Sequence, residues 1–253
     1  MAETTIEKNI PVRTASASVF LSLVMPAYNE GSKIEADLAK VRGYFQTREY
    51  PYEIIVVDDG SADDTSDKVL RQQQVGGGRI RLVRYSRNRG KGFAVKTGVA
   101  EADGRYILFA DAGSCVPYDE VERGLALLEQ GCDIAIGSRG MRESVLVVKQ
   151  PLYRRLGSRV FGVIVRHLLG LQDIQDTQCG FKLFRREAAK ELFGSQRTEG
   201  FMFDIEMLFA ARRKGYRIVQ FPVDWSNDPD SRFKPVSGSF RNLMELLRIV
   251  WHR

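Results

Sequence analysis

The stretch that most constrains the fold is Ile54-Ile55-Val56-Val57-Asp58-Asp59-Gly60-Ser61. Four apolar residues, all β-branched, run straight into two carboxylates and a turn. Such a run reads as a strand covered on both faces, as in a parallel sheet. Ionised carboxylates are too costly for that core, so the strand ends where the aspartates begin. In open α/β sheets the carboxyl ends of the strands line the ligand crevice. A plain strand-to-turn junction has the same composition, with Asp-Gly-Ser as turn chemistry and Asp63 or Asp64 helping to start a helix. The remainder of the chain has to decide.

Similar runs recur. Residues 19–25 read as the first buried strand, stopped by Pro26. Ser32 and Glu35 have the spacing of a capping box. Ile34, Leu38, Val41 and Phe45 then repeat at helical period and predict a helix over 33–46. The opening strand covers 53–58, followed by a polar helix at 63–74. Strands are expected at 80–85, 106–110 and 133–136, with a helix at 92–101 and another opened by Pro117. Residues 1–18 are polar and aperiodic and read as a flexible tail. Residues 19–235 read as one domain. The alternation predicts an α/β fold: a mostly parallel sheet with helices on both faces. Right-handed crossovers bring the strand ends to one edge. That edge gathers Tyr28 with Glu30, Asp58 with Asp59, Asn88 with Lys91, Asp111, and Arg139. Five polar strand ends on one edge point to a nucleotide or phosphate cleft. Neither a phosphate-binding P-loop nor a dinucleotide fingerprint follows a strand, so the cleft is not that of a standard NTPase or dehydrogenase.

The net charge of +6 favours anionic partners without selecting one. Cys115, Cys132 and Cys179 are too few and scattered for a disulfide framework or zinc site, which fits a reducing, cytoplasmic setting. No apolar stretch approaches the ~20 residues of a spanning helix. Two stretches nevertheless suit a membrane surface. Residues 149–171 carry Lys149, Arg154, Arg155, Arg159 and Arg166, no acidic residue, and interleaved Leu, Val, Ile and Phe. Residues 236–253 repeat the pattern with Phe240, Leu243, Leu246, Leu247, Val250 and Trp251 among Arg241, Arg248 and Arg253. Both read as basic amphipathic helices able to lie in a bilayer interface. Two ordinary helices with solvated basic faces would read alike.

The ordered motifs resemble glycosyltransferase family 2, and within it the dolichyl-phosphate β-glucosyltransferases and bacterial polyprenyl-phosphate glycosyltransferases. They are Leu23 to Glu30, Val56 to Ser61, Arg87 to Gly92, Phe109 to Asp111, Gly137 to Arg139, Asp176 to Phe184, Phe203 to Leu208 and Pro222 to Trp225. The resemblance implies a GT-A fold, Rossmann-like, and an inverting transfer of a hexose from a nucleotide-sugar donor. UDP-glucose is favoured as donor and a polyprenyl or dolichyl phosphate as acceptor. The two basic amphipathic stretches add the expectation of peripheral association with the cytoplasmic face of a membrane. The resemblance also implies that Pro26, Tyr28, Glu30 and Asp58 hold the base and ribose, with Asp59 supporting their loop. Asn88 and Lys91 would approach the nucleotide, and Asp111 would sit at the diphosphate and its Mg2+ or Mn2+ ion. Asp111, Asp204, Glu206 and Arg139 are the catalytic candidates. Arg139, Gln178, Lys182, Arg232 and Lys234 are the candidates for the acceptor phosphate. Arg142 reads as a solvated surface charge.

The family's Asp-x-Asp is here Asp111-Ala112-Gly113, lacking the second carboxylate. Asp111, diphosphate and water could hold the metal, another carboxylate could substitute, or the chain could be a weakened or non-catalytic binder. A hydroxyl acceptor needs a general base, and Asp204 or Glu206 would supply it in a soluble family 2 enzyme. A polyprenyl phosphate, with a second pKa near ~6, needs only cations to position it. Asp204 and Glu206 lie two apart on one helix, so they face different ways. Nucleic-acid binding has only the basic charge behind it and no motif. The sequence leaves the oligomeric state open.

Overall fold

The computed structural model describes residues 6–9, 19–76, 79–145, 162–163, 165–226 and 235–251. Eight strands form one sheet: β1 (Ile6–Asn9), β2 (Leu21–Ala27), β3 (Tyr52–Asp58), β4 (Ile80–Tyr85), β5 (Tyr106–Ala110), β6 (Ile134–Ser138), β7 (Phe181–Arg185) and β8 (Ile218–Pro222), in the order β1-β4-β3-β2-β5-β7-β6-β8. The run from β4 through β3 and β2 to β5 is parallel. β7 is antiparallel to both β5 and β6, and β8 is parallel to β6. The longer helices among the described residues are α1 (Ile34–Gln46), α2 (Thr65–Val75), α3 (Lys91–Glu101), α4 (Glu120–Glu129), α5 (Arg186–Ser195), α6 (Phe203–Arg213) and α7 (Pro235–Trp251).

Each sheet face carries its own core. Leu23, Met25, Ile54 and Val56 pack with α1 residues Leu38, Val41 and Phe45. Val24, Ile55 and Val57 point the other way, against Val95 and Val99 of α3 and Phe203 of α6. Alternation along β2 and β3 thus feeds both layers, as a sheet covered on two sides requires. Val57 and Asp58 lie opposite Pro26 and Ala27 on one side, and Asp58 opposite Arg84 on the other, so these strand ends are level.

Several local expectations change. Residues 6–9, read as tail, form β1 and pair antiparallel with β4. A short strand can satisfy the backbone groups of an otherwise open sheet edge whatever its side chains. β2 continues through Pro26, opposite Val57. Its pairing with β5 ends at Val24, so by Pro26 the strand has β3 as its ladder partner and tolerates a missing amide. The capping box is absent: α1 begins without a side-chain cap. The Glu30 carbonyl accepts from Lys33 and Ile34 amides instead. Pro117 lies in a turn before α4, its carbonyl accepting from Glu120.

Most of the basic stretch at 149–171 lies outside the described residues, as do Arg232 and Lys234. Residues 165–169 are helical, with Val165 and Leu169 buried against the α3 side of the sheet. The expected C-terminal helix is α7. Among the described residues no helix is long and apolar enough to cross a membrane.

Candidate active site

The two loops leaving β2 and β3 are stitched together. Asn29, in the left-handed region at φ 53, donates its amide to Ser61 Oγ (2.9 Å) and accepts from the Ala62 amide through Oδ1 (2.9 Å). The Glu30 amide donates to Thr65 Oγ1 and the Gly31 amide to Asp63 Oδ2. The Glu30 carboxylate pairs with Lys33 at 2.9 Å. This frame leaves the Tyr28 ring 36% exposed at the mouth, beside half-buried Pro26. A half-open phenol ring on a fixed loop can stack on a planar base.

Asp58 and Asp59 do different work. Asp58 accepts from the Ser61 amide (2.8 Å) and from Ser66 Oγ, holding its own turn against the start of α2. Asp59 reaches across to the loop after β4. It accepts from Tyr85 Oη (2.7 Å), Asn88 Nδ2 (2.8 Å), the Arg89 amide (2.8 Å) and the Gly90 amide (2.9 Å). Burial pushes the Asp59 carboxyl up, and these donors work against that push. Asn88 is therefore spent on Asp59, and the loop it belongs to presents Lys91.

Lys91 opens α3, and its Nζ lies 2.7 Å from Asp111 Oδ1 and 3.0 Å from Oδ2. The Gly92 and Phe93 amides at this helix start donate to the carbonyls of Gly200 and Glu199. The positive charge at the cleft thus comes from the ammonium more than from open helix amides. Burial opposes that charge, but Asp111 and Asp204 outweigh it and raise the Lys91 pKa.

Asp111 ends β5, its amide donating to Gly180 just before β7 (3.0 Å). A Cβ on residue 180 would lie 2.0 Å from Asp111 Oδ2, so the carboxylate needs glycine there. Oδ1 touches Lys91 but accepts no well-directed hydrogen bond, which leaves lone pairs for a cation. One carboxylate fits Mg2+ or Mn2+ that completes its shell with diphosphate oxygens and water. It does not make a metal cage: among the described residues no three His, Cys, Asp or Glu side chains converge. Gly113, where the second carboxylate is missing, sits at φ 98 and donates its amide to Asp37 Oδ2 (2.6 Å). Asp37 Oδ1 accepts from Ser114 Oγ (3.0 Å).

The acceptor side departs from the sequence reading. The Arg139 fork is engaged by Asp176, with Nε at 2.6 Å from Oδ2 and Nη2 at 2.9 Å from Oδ1. It is therefore not open for bidentate phosphate binding. Burial opposes the Asp176 carboxylate, but Arg139 outweighs it and holds the pKa below the ordinary range. Lys182 is fully buried, donating to Asp204 Oδ1 (2.6 Å) and to the Cys179 carbonyl. It is a core cation and cannot meet an acceptor. Asp204 is 3% exposed, and burial pushes its carboxyl up against the pull of Lys182 and Lys91. Glu206 accepts from the amides of Arg197 (2.9 Å) and Thr198 (2.7 Å) and so holds the loop before α6. Neither carboxylate stands as an open base. The Gln178 amide donates to Asp176 (3.2 Å), and Arg142 is exposed. Burial pushes the Cys179 thiol up to about 12, so it stays protonated.

Sequence reasoning missed Asp37. Its signal was a carboxylate at the position next to Leu38 on the apolar face of α1, where an unpartnered charge has no place.

The model of glycosyl transferase family 2 matches residues 22–193. The chain is 34% identical over 248 residues to dolichyl-phosphate beta-glucosyltransferase of Saccharomyces cerevisiae, covering 91% of this chain and 74% of that protein. It is 34% identical over 245 residues to the Homo sapiens protein of the same name, covering 90% and 74%. Among solved structures, mannosyltransferase PcManGT from Pyrobaculum calidifontis, in complex with GDP-Man and Mn2+, superposes with a TM-score of 0.63 at 21% identity, over 94% of this chain and 66% of that one. Glucosyl-3-phosphoglycerate synthase from Mycobacterium tuberculosis, with Mn2+, UDP and product, gives 0.64 at 21% identity, over 92% and 80%. These two likenesses establish the fold. With that fold, the family match and the curated relatives in agreement, the chain belongs to glycosyltransferase family 2.

Proposed function

We propose that this enzyme transfers glucose, with inversion, from UDP-glucose to a polyprenyl phosphate of the dolichyl type at a membrane surface. The observation that carries the acceptor class is the occupation of both candidate bases. Asp204 is buried against Lys182, and Glu206 is spent on two backbone amides. A hydroxyl acceptor would need one of them free. A phosphate acceptor arrives largely dianionic and needs none. The names of the curated relatives support the same acceptor and sugar.

Tyr28 stacks on the base, Pro26 flanks it, and the Asp58 turn accepts from its N–H. Lys91 sets its ammonium against the donor diphosphate, held in place by the Asp59-bound loop. Asp111 would hold Mg2+ or Mn2+ jointly with that diphosphate. The ion, when bound, neutralises charge on the leaving group. A phosphate oxygen of the acceptor attacks the anomeric carbon from the face opposite UDP. The new carbon–oxygen bond forms as the bond to the diphosphate breaks, and UDP leaves with the electron pair. No proton needs to move. Arg139 and Lys182 are engaged inside the protein, so the acceptor phosphate is assigned to the remaining candidates, Gln178 and, outside the described residues, Arg232 and Lys234.

The lone Asp111 and the Asp37-bound Gly113 amide favour a second reading, a nucleotide-sugar binder with little or no turnover. Transfer to a fixed polyprenyl phosphate acceptor, measured with UDP-glucose, UDP-galactose and GDP-mannose in Mg2+, Mn2+ or EDTA, separates the two. The proposal expects turnover with UDP-glucose above the others. UDP binding without turnover under every condition supports the binder.

A further inference from the structure

α7 has two unlike faces. On the inner face Leu246 and Ile249 are buried in the α3-side core. Beside them sits Glu245, the one acidic residue of the helix, also buried. Its Oε2 accepts from the Met202 amide (3.3 Å) and its Oε1 pairs with Arg241 Nε (3.1 Å). A Cβ on residue 200 would lie 2.1 Å from Glu245 Oε1, so the 199–202 loop is pressed against this carboxylate. The same loop holds the start of α3 through Gly200 to Gly92 (3.2 Å) and Glu199 to Phe93 (3.1 Å). Arg89 pairs with Glu199, and the Arg89 carbonyl accepts from Arg241 Nη2 (3.4 Å). Arg89 and Gly92 bracket Lys91, the cleft's ammonium. The outer face is a stripe at helical spacing, Leu243, Leu247 and Trp251, exposed by 47%, 52% and 86%, with Met244 and Arg248 beside it and no acidic residue.

We propose that α7 couples a lipid surface to the donor site: its outer stripe seats in an anionic bilayer interface, and its Arg241–Glu245 pair holds the loop that positions Lys91. The inference rests on the membrane reading above. An apolar stripe ending in Trp with arginines alongside fits an anionic headgroup layer. A helix anchored on its outer face fixes Glu245, hence the 199–202 loop and the start of α3. Coupling of this kind is reciprocal: lipid tightens nucleotide binding by the factor by which nucleotide tightens lipid binding.

The test measures UDP affinity of the full chain by calorimetry, with and without vesicles of phosphatidylglycerol and phosphatidylcholine. Co-sedimentation, and a blue shift of tryptophan fluorescence that Trp251→Phe removes, report vesicle binding separately. The wild type should co-sediment and bind UDP about 5-fold or more tightly with vesicles. Leu247→Glu should lose co-sedimentation and the gain, while keeping the vesicle-free affinity. Glu245→Gln should co-sediment and lose the gain. Arg241→Gln, at an exposed side chain, does the same without touching the core. Wild type that co-sediments but binds UDP equally in both conditions overturns the coupling and leaves the membrane reading standing. Failure to co-sediment overturns both. Retention of the full gain in both Glu245→Gln and Arg241→Gln overturns the route through the loop.

Discussion

Replacing Lys182 with methionine distinguishes a core cation from an acceptor cation. Its Nζ is completely buried, 2.6 Å from Asp204 Oδ1, and the neighbouring ring of Phe109 covers it at 5.7 Å. Methionine keeps an apolar chain of similar length and removes the charge. Asp204 is then left in the core without its hydrogen-bonded cation, and breaking a buried pair in this way costs roughly 3–5 kcal/mol. In a domain of this size each kcal/mol moves the melting temperature by about 2–4 °C, so Lys182→Met should lose about 6–20 °C. Asp204 escapes part of the cost by taking up a proton. Burial already raises its folded-state pKa against the pull of Lys182, and removing Lys182 raises it further, so the native state of the variant holds that proton more tightly than the wild type or the unfolded chain does. The deficit of the variant therefore deepens as pH rises from the unfolded-state carboxylate value through the folded one. Replacing both partners, Lys182→Met with Asp204→Leu, should recover most of the loss, because apolar substitutes for a buried pair are close to neutral. Thermal melts and urea titrations across pH measure this, with UDP affinity taken where every variant is folded. A Lys182→Met variant that melts within about 2 °C of wild type while its acceptor KM rises would instead place Lys182 at the acceptor site.

Other expectations follow from the same contacts. Gly180→Ala should weaken UDP binding with the fold retained, because the new methyl displaces the Asp111 carboxylate. Gly43→Ala in α1, where a Cβ meets nothing within 4 Å, is the control and should be neutral or stabilising by up to about 1 kcal/mol. Glu206→Ala should expose the Arg197 and Thr198 amides to hydrogen exchange. Its turnover should fall by less than the ~10²–10⁴-fold expected for loss of a general base. The depressed Asp176 carboxyl contributes stability that is present above the unfolded-state value near ~4 and is lost as pH falls through the folded one. Asp176→Asn should be less stable at neutral pH and flatten the acid limb of the stability curve, measured by urea unfolding at stepped pH.

The sheet and its polar edge were legible because their signals are local. A run of β-branched residues ending in two aspartates states both a strand and where it stops, and a shorter apolar run ending in one aspartate marks Asp111. Facing was legible too: residues two apart on a helix diverge, and Asp204 and Glu206 do. Partners were not. Lys182 reads as an exposed cation until β7 is known to lie between β5 and β6. The Arg139 fork reads as a phosphate binder until the chain brings back Asp176 from 37 residues away. Asp37 shows the opposite case, a buried carboxylate on an apolar helix face whose partners, Gly113 and Ser114, lie beyond any local pattern. β1 lacks a hydrophobic signal because an edge strand can be recruited through its backbone alone.

The proposed function has this edge deliver a sugar to a lipid phosphate without a protein base. Its most direct test supplies radiolabelled UDP-glucose with a polyprenyl phosphate in vesicles and partitions the products between butanol and water. Label is expected in the butanol phase, reduced strongly by Asp111→Asn and Lys91→Met and little by Glu206→Gln. Label confined to a water-soluble saccharide or protein acceptor, and abolished by Glu206→Gln, would contradict it.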